Sequence, residues 1–383
     1  MEIKALNVYP IKALRPVPLT SAILTPQGIL HDRTYMLFKV NEDSSLRKLQ
    51  LSSCPQTALF SQEIVSSTEA SSDTDDDTGD TILVKYHIPS PPLVPHDPLQ
   101  ETTLSVPLVP DTAALAPIQI DLHGSPADAL RMGDPYDAFF SACLGFPTIL
   151  VHIGSGRRPV LGTLAPGSAS SPQTSSPSSS LFSSITSYLP SFSSPSSEQK
   201  PWLTFTDCAP YLITSSSSLT HPSLTSFSST TNTNTTTPSI MPKMRPNIVV
   251  HDPSEPPFAE DFWAELSLPS SGGAKLLLTA NCGRCASLNV DYATGRPAAG
   301  PEGKLLNALM KERRVDPGHK YAPVFGRYAF LDVGGADAGP AAGIRVRVGD
   351  EVAVTRRNAE RTVFDWPLGS AAPKRTSNTV AVA

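Results

Sequence analysis

Two cysteines, Cys282 and Cys285 in the run Asn281-Cys282-Gly283-Arg284-Cys285, are the residues of this chain best suited to chemistry. A thiol beside a guanidinium is biased toward thiolate, the form that attacks electrophiles and binds soft metals. The pair therefore points to sulfur on metal or to sulfur as nucleophile, and C-x-x-C spacing alone leaves several readings open. A structural zinc site wants a second ligand pair, yet Cys54, Cys143 and Cys208 are scattered singly and no histidine pair lies nearby. A thioredoxin-like dithiol wants the pair to open a helix after a first strand, whereas this one follows a late apolar run and precedes Leu288-Asn289-Val290. The plain alternative is two buried cysteines packed as small hydrophobes.

Three other stretches place a cation where a polyanion could be held: Tyr9-Pro10-Ile11-Lys12, His31-Asp32-Arg33-Thr34-Tyr35 and Met244-Arg245-Pro246-Asn247-Ile248-Val249. A lone lysine after a strand is usually a solvated end, and an arginine next to an aspartate usually a local ion pair. Arg245 says more, because it abuts an apolar run in which a buried guanidinium needs an anion or several acceptors.

The elements that must position these residues read mostly as short strands broken by Pro and Gly turns. Extended segments are expected around Ile3, Leu6 and Val8, at Ser21 to Thr25 and at Tyr35 to Val40. A helix is expected from Asp134 and Pro135, followed by a buried strand from Thr148 to His152. Further on come a short amphipathic helix from Phe258 to Leu266 and an apolar strand from Leu276 to Thr279. Lys304 to Arg313 should be a helix with Leu305, Leu306, Leu309 and Met310 on one face. Ile344, Val346 and Val348 read as a hairpin with Val352 and Val354. The fold class expected is mixed, β-rich α/β, with barrel-like domains and peripheral helices.

Composition divides the chain into a first domain over 1–155, a Ser/Pro-rich linker over 156–201, a second domain over 202–357 and a polar tail over 358–383 that should fray. Disordered insertions are expected at about 66–100, 166–200 and 215–242, which look too poor in apolar surface to offset their ordering entropy. A net charge of -5 offers no broad basic field, so nucleic acid is not the expected partner. Five cysteines without a small-scaffold pattern fit a reducing compartment. No apolar leader or anchor is evident at Met1 to Pro10, so a cytoplasmic protein is expected, with mitochondrial association left open.

Taken in order, these stretches resemble the molybdenum cofactor sulfurase C-terminal (MOSC) family with its N-terminal β-barrel domain, in particular the branch of amidoxime-reducing components. The resemblance rests on Tyr9 to Lys12, Gly28 with Asp32-Arg33, Arg245 to Val249, Arg284-Cys285, Asp291 with Thr294-Gly295, Phe325-Gly326-Arg327-Tyr328 and Val348-Gly349-Asp350. It implies a molybdenum–molybdopterin cofactor (Mo-MPT) whose metal is bound by Cys285, the catalytic residue, with Lys12, Arg33 and Arg245 gripping the pterin phosphate and edges. Asp207, Asn247 and Tyr328 would line the same site, with Thr214 and Ser215 as further phosphate contacts. Pyridoxal phosphate binding is another property the resemblance brings. The implied activity is reduction of small N-hydroxylated substrates, amidoximes or hydroxylamines, with electrons from a cytochrome b5-type donor and its reductase. The alternative is a carrier of the cofactor or of sulfur without reductase activity. Ala13 and Gly283 stand where relatives often carry serine.

Overall fold

The computed structural model describes residues 1–66, 79–168, 200–228, 240–332 and 343–367. Strand pairing does not follow chain order. An eight-stranded sheet runs in the order Val17–Leu19, Glu2–Val8, Ile248–His251, Tyr211–Ser215, Val324–Asp332, Ala274–Gly283, Trp263–Leu268, Ala353–Arg357. The first strand of the chain is thus sewn into a sheet built by the second half, with Ile3 opposite Val250 and Leu6 opposite Ile248. A three-stranded sheet of Ile344–Arg347, Ser21–Thr25 and Gly28–Ile29 packs on the same core. Ile3, Leu6, Val8 and Leu24 from the start of the chain pack there with Tyr211, Ile213, Trp263, Leu266 and Val346.

The rest of the first half builds its own unit. A five-stranded sheet orders Ala116–Leu122, Ser125–Arg131, Thr148–His152, Tyr35–Val40 and Leu46–Lys48, and a meander joins Phe60–Val65, Thr81–Tyr86 and Thr103–Pro107. Helix Tyr136–Leu144 presents Phe139, Phe140 and Cys143 to the core between them, against Leu37, Phe60, Val84 and Leu150. The molecule is β-rich with a barrel-like N-terminal part, as the strand spacing predicts.

Several expected elements form as read. Ser21–Thr25, Tyr35–Val40 and Thr148–His152 are strands, and Leu305–Glu312 is a helix that buries Leu305 and Leu309. Others differ. Phe258 to Leu266 is a single helical turn, Ala259–Phe262, followed by strand Trp263–Leu268. The residues from Trp263 on are buried at nearly every second position, a strand period that outweighs the helical pattern of so short a segment. The hairpin expected around Gly349-Asp350 does not form, because Ile344–Arg347 pairs with Ser21–Thr25 and Ala353–Arg357 with Trp263–Leu268.

Two of the segments expected to be disordered, and the tail expected to fray, carry buried structure. Within 66–100, Thr81–Tyr86 is a central strand whose Ile82 and Val84 are fully buried. The alternation Ile82-Val84-Tyr86 is lost when composition is averaged over the stretch. Within 215–242, Leu224 and Met241 pack against Val249, Leu288 and Phe325. In the tail, Phe364 and Trp366 are buried against Leu164, Leu203, Cys208 and Ala280. Residues 67–78, 169–199, 229–239 and 368–383 lie outside the described part, and with them the remainder of those expectations.

Candidate functional site

The strand Glu2–Val8 delivers Tyr9, whose backbone N–H donates to Asp32 Oδ1 at 2.9 Å while its carbonyl accepts from Arg33 N at 2.9 Å. Lys12 N donates to the carbonyl of Tyr35 at 2.8 Å. These bonds zip the Tyr9–Lys12 and Asp32–Tyr35 segments together, so the two motifs form one surface. Arg245 enters from the far end of the chain. It caps the short helix Met241–Met244 in the left-handed conformation, with φ 55°.

Tyr9 is the part of this arrangement that residue-by-residue reading missed. Its ring is fully buried, and the guanidinium carbons of Arg33 and Arg245 each lie 4.5 Å from its centroid. The phenol donates to Pro246 O at 3.2 Å, and burial holds its pKa well above the ordinary value. A shared aromatic platform spaces two cations that would otherwise repel, each contact worth ~0.5–2 kcal/mol. Arg33 is further held by Asp32 and by Asn247 Oδ1, the latter at 3.1 Å. Asn247 also accepts from Leu212 N at 3.1 Å and donates to Asn7 O at 3.3 Å, so it braces the site more than it offers itself to a ligand. Arg245 spends only Nη1, on the carbonyl of Leu14 at 2.8 Å, among the described residues.

Lys12 is buried, with Nζ 2.8 Å from Phe205 O and 2.6 Å from Asp207 Oδ1. Burial lowers its pKa to about 8, against the pull of Asp207. Partial loss of solvent works to raise the half-exposed Asp207 carboxyl, but Lys12 and His123 prevail and hold it well below the usual range. The loop carrying Asp207 is fixed from beneath by Arg158, fully buried, which donates to the carbonyls of Leu122, Thr204 and Thr206 at 2.6 to 2.8 Å.

The cysteine pair parts company. Cys282 is buried, and Arg284 Nη1 lies 3.0 Å from its sulfur while Nη2 donates to Met244 O at 2.9 Å. The guanidinium expected to face Cys285 thus serves Cys282. Cys285 is exposed, the other four cysteines are buried, and its sulfur lies 3.2 Å from Ser287 Oγ. Gly283 lets the chain pass against His319: a Cβ there would come within 2.6 Å of the imidazole, so the departure from serine is matched by a histidine occupying the space.

One open cleft is lined by Lys12, Arg33, Asp207, Arg245, Asn247, Cys285 and Tyr328 together. The cysteine, the three cations and the three further lining residues expected from the sequence all meet there. Burial raises the pKa of Tyr328 far above that of a free phenol, as do the nearby sulfurs of Cys282 and Cys208, so it stays a neutral hydroxyl. Thr214 and Ser215 are not in this wall: Thr214 bonds Met241 and Ser215 caps the turn at Ser217. Gln50, Leu51 and Ser52, from the first half of the chain, complete the wall without any signal in the sequence.

Residues 1–147 match the family model for the MOSC N-terminal beta barrel domain, and residues 200–353 match that for the MOSC domain. Together these spans take in most of the chain, which belongs to the MOSC family. MOSC domains are associated with molybdenum cofactor binding and with sulfurase-like proteins. A search of curated proteins found no match.

The residues present fit such a group. Two polar atoms in the cleft wall, Thr206 Oγ1 and Arg284 Nε, are buried without a hydrogen-bond partner among the described residues, an arrangement that asks for a polar occupant nearby. Among the described residues no cluster of three or more His, Cys, Asp or Glu side chains could hold a metal ion. A metal at Cys285 therefore needs donors that arrive with it, as the sulfurs of a molybdopterin do. Also among the described residues, no helix is long and apolar enough to cross a membrane.

Proposed function

We propose that this protein is a molybdenum-cofactor-dependent oxidoreductase of the amidoxime-reducing branch, which reduces N-hydroxylated substrates with electrons from an external donor. The observation that carries the reading is the meeting of one exposed thiol, Cys285, with Lys12, Arg33 and Arg245 around a single cleft. Thiolate is a soft ligand suited to molybdenum, and guanidinium forks suit phosphate. Cys285 would hold the metal. Lys12 and the Tyr9-mounted pair Arg33 and Arg245 would hold the anionic pterin tail, with Asp207 and Tyr328 on the substrate side.

A molybdenum centre supplies two-electron oxygen-atom transfer, which takes an amidoxime to an amidine plus water. The chain's own share is to seat the cofactor, to leave the substrate an open approach and to provide polar groups beside the leaving oxygen. The sequence contains no dinucleotide or haem fingerprint, which is why a cytochrome b5-type protein and its reductase are the proposed electron source. Pyridoxal phosphate has less support. It needs an amine free to condense, and Lys12, the lysine of this cleft, is tied to Asp207 and Phe205 O.

The test is turnover of benzamidoxime by protein purified from a cofactor-competent host and supplied with that electron chain. The proposal expects amidine formation that Cys285→Ala abolishes. Molybdenum-loaded protein that reduces no N-hydroxylated compound would favour the alternative, a carrier that holds cofactor or sulfur on Cys285.

A further inference from the structure

The hairpin of Ala116–Leu122 and Ser125–Arg131 turns through two residues, His123 and Gly124, with Leu122 opposite Ser125. Their φ angles are 61° and 76°, both in the left-handed region that a type I′ turn requires, for which asparagine followed by glycine is a favoured sequence. The turn itself has no need of an imidazole. The ring reaches across to the other half of the molecule, where Nε2 lies 3.2 Å from Asp207 Oδ1, and the side-chain amide nitrogen of Gln50, from its own half, lies 3.3 Å from the same Nε2. Trp366 Nε1 donates to the His123 carbonyl at 2.9 Å and fixes the turn against the tail.

The contact with Asp207 is attractive only when Nε2 carries a proton, since a bare nitrogen lone pair facing a carboxylate is repelled; in that state the Gln50 amide must meet the ring by its oxygen, the end that accepts. Asp207 uses the same Oδ1 for Lys12 and for His123. Its Oδ2 makes no hydrogen bond among the described residues, and the residue lines the cleft that Cys285 shares. The Asp207 side chain is 48% exposed and that of His123 21%, so the pair connects solvent to the cleft. The charged groups around the ring are Asp207 and, through it, Lys12; Asp121 of the same hairpin, whose Oδ1 accepts from Gly124 N; and Arg158, 3.5 Å from the Asp207 carbonyl.

We propose that His123 is a positioning residue that supplies protons to the cleft through Asp207. This rests on the reductase reading, in which an N-hydroxylated substrate, two electrons from the external donor and two protons give the reduced nitrogen compound and water. For each proton, the Nε2–H bond of His123 breaks as an O–H bond forms on Asp207. That proton passes on at once to the oxygen leaving nitrogen as negative charge develops there, so the carboxyl that Lys12 and His123 hold well below the usual range is protonated only in passing, while the imidazole takes up another from solvent. Neither Asp207 nor His123 changes oxidation state. Lys12 keeps the carboxylate in place between transfers.

The experiment compares wild type with His123→Asn, which preserves the turn, and with His123→Gln. Molybdenum per protein and benzamidoxime turnover are measured together across the neutral pH range, with and without added imidazole. The relay predicts unchanged molybdenum, a kcat lowered about tenfold to a hundredfold with KM little altered, and partial recovery that grows with the imidazolium concentration. Either variant retaining full metal and wild-type kcat at every pH overturns the relay. A loss that imidazole fails to restore in both variants also overturns it, because a purely structural histidine behaves that way. Wild-type protein that carries molybdenum yet reduces nothing overturns the reductase reading and the relay with it, so the two failures are told apart.

Discussion

Lys12 is a cleft residue whose charge depends on pH. Burial brings its pKa down to about 8 from 10.5, so the charged form is less favourable folded than unfolded. Stability therefore carries a cost that is full below about pH 8 and fades as pH rises toward the unfolded value, the unfolded chain binding the extra proton in that window. The grip on an anion runs the other way, being present below about 8 and lost above it. Uptake of molybdopterin by apo-protein is thus expected to weaken as pH passes upward through about 8. Lys12→Arg, with a charge that does not titrate there, should flatten the dependence, and Lys12→Met should lower uptake at every pH. Cofactor bound per protein across a pH series checks this; a wild-type profile unchanged from neutral to alkaline pH would contradict the assignment of Lys12 to the anion.

At the scale of elements, the decisive feature is that Glu2–Val8 belongs to the sheet of the second half. Ile3, Leu6 and Val8 are buried to within 1% in the same cluster as Trp263. Ile3→Ala should cost about 2–5 kcal/mol. Because Ile3 and Trp263 share one core, denaturant unfolding followed through the fluorescence of the buried Trp263 should shift with it; a transition left in place would show that the strand is dispensable to that core. The local period made Ser21–Thr25, Tyr35–Val40 and Leu305–Glu312 legible, since each carries its own alternation or face. Ile344–Arg347 and Ala353–Arg357 were equally clear as strands but not as partners. Their pairing with strands hundreds and tens of residues away is decided by the tertiary fold, and a turn-like Gly349-Asp350 between them suggests a hairpin that competition removes. The cations of the site were legible because each sits at a break beside an apolar run. Tyr9 as their platform and His123 as a partner of Asp207 were not, since both depend on which loops the folded chain brings together.

Across the whole molecule the cleft is a joint product of distant segments: Gln50 to Ser52, Lys12 and Arg33 come from the first half, Asp207, Arg245, Cys285 and Tyr328 from the second. The segment 169–199 lies outside the described residues. On its two sides Arg158 pairs with Leu203 and Pro159 with Trp202, so the described flanks are clamped to each other. Replacing 169–199 by a short Gly/Ser linker should leave molybdenum content at the wild-type level, because loop-closure entropy changes slowly with length. A loss of metal in that deletion would place the segment in the site.

The proposed function requires a bond between Cys285 and the metal. Molybdenum per protein, measured for wild type and Cys285→Ala purified side by side from a cofactor-competent host, tests it most directly. The expected result is close to one molybdenum per wild-type chain and almost none in the variant, with both folded by circular dichroism. Equal molybdenum in the two proteins, or wild type holding zinc in its place, would contradict it.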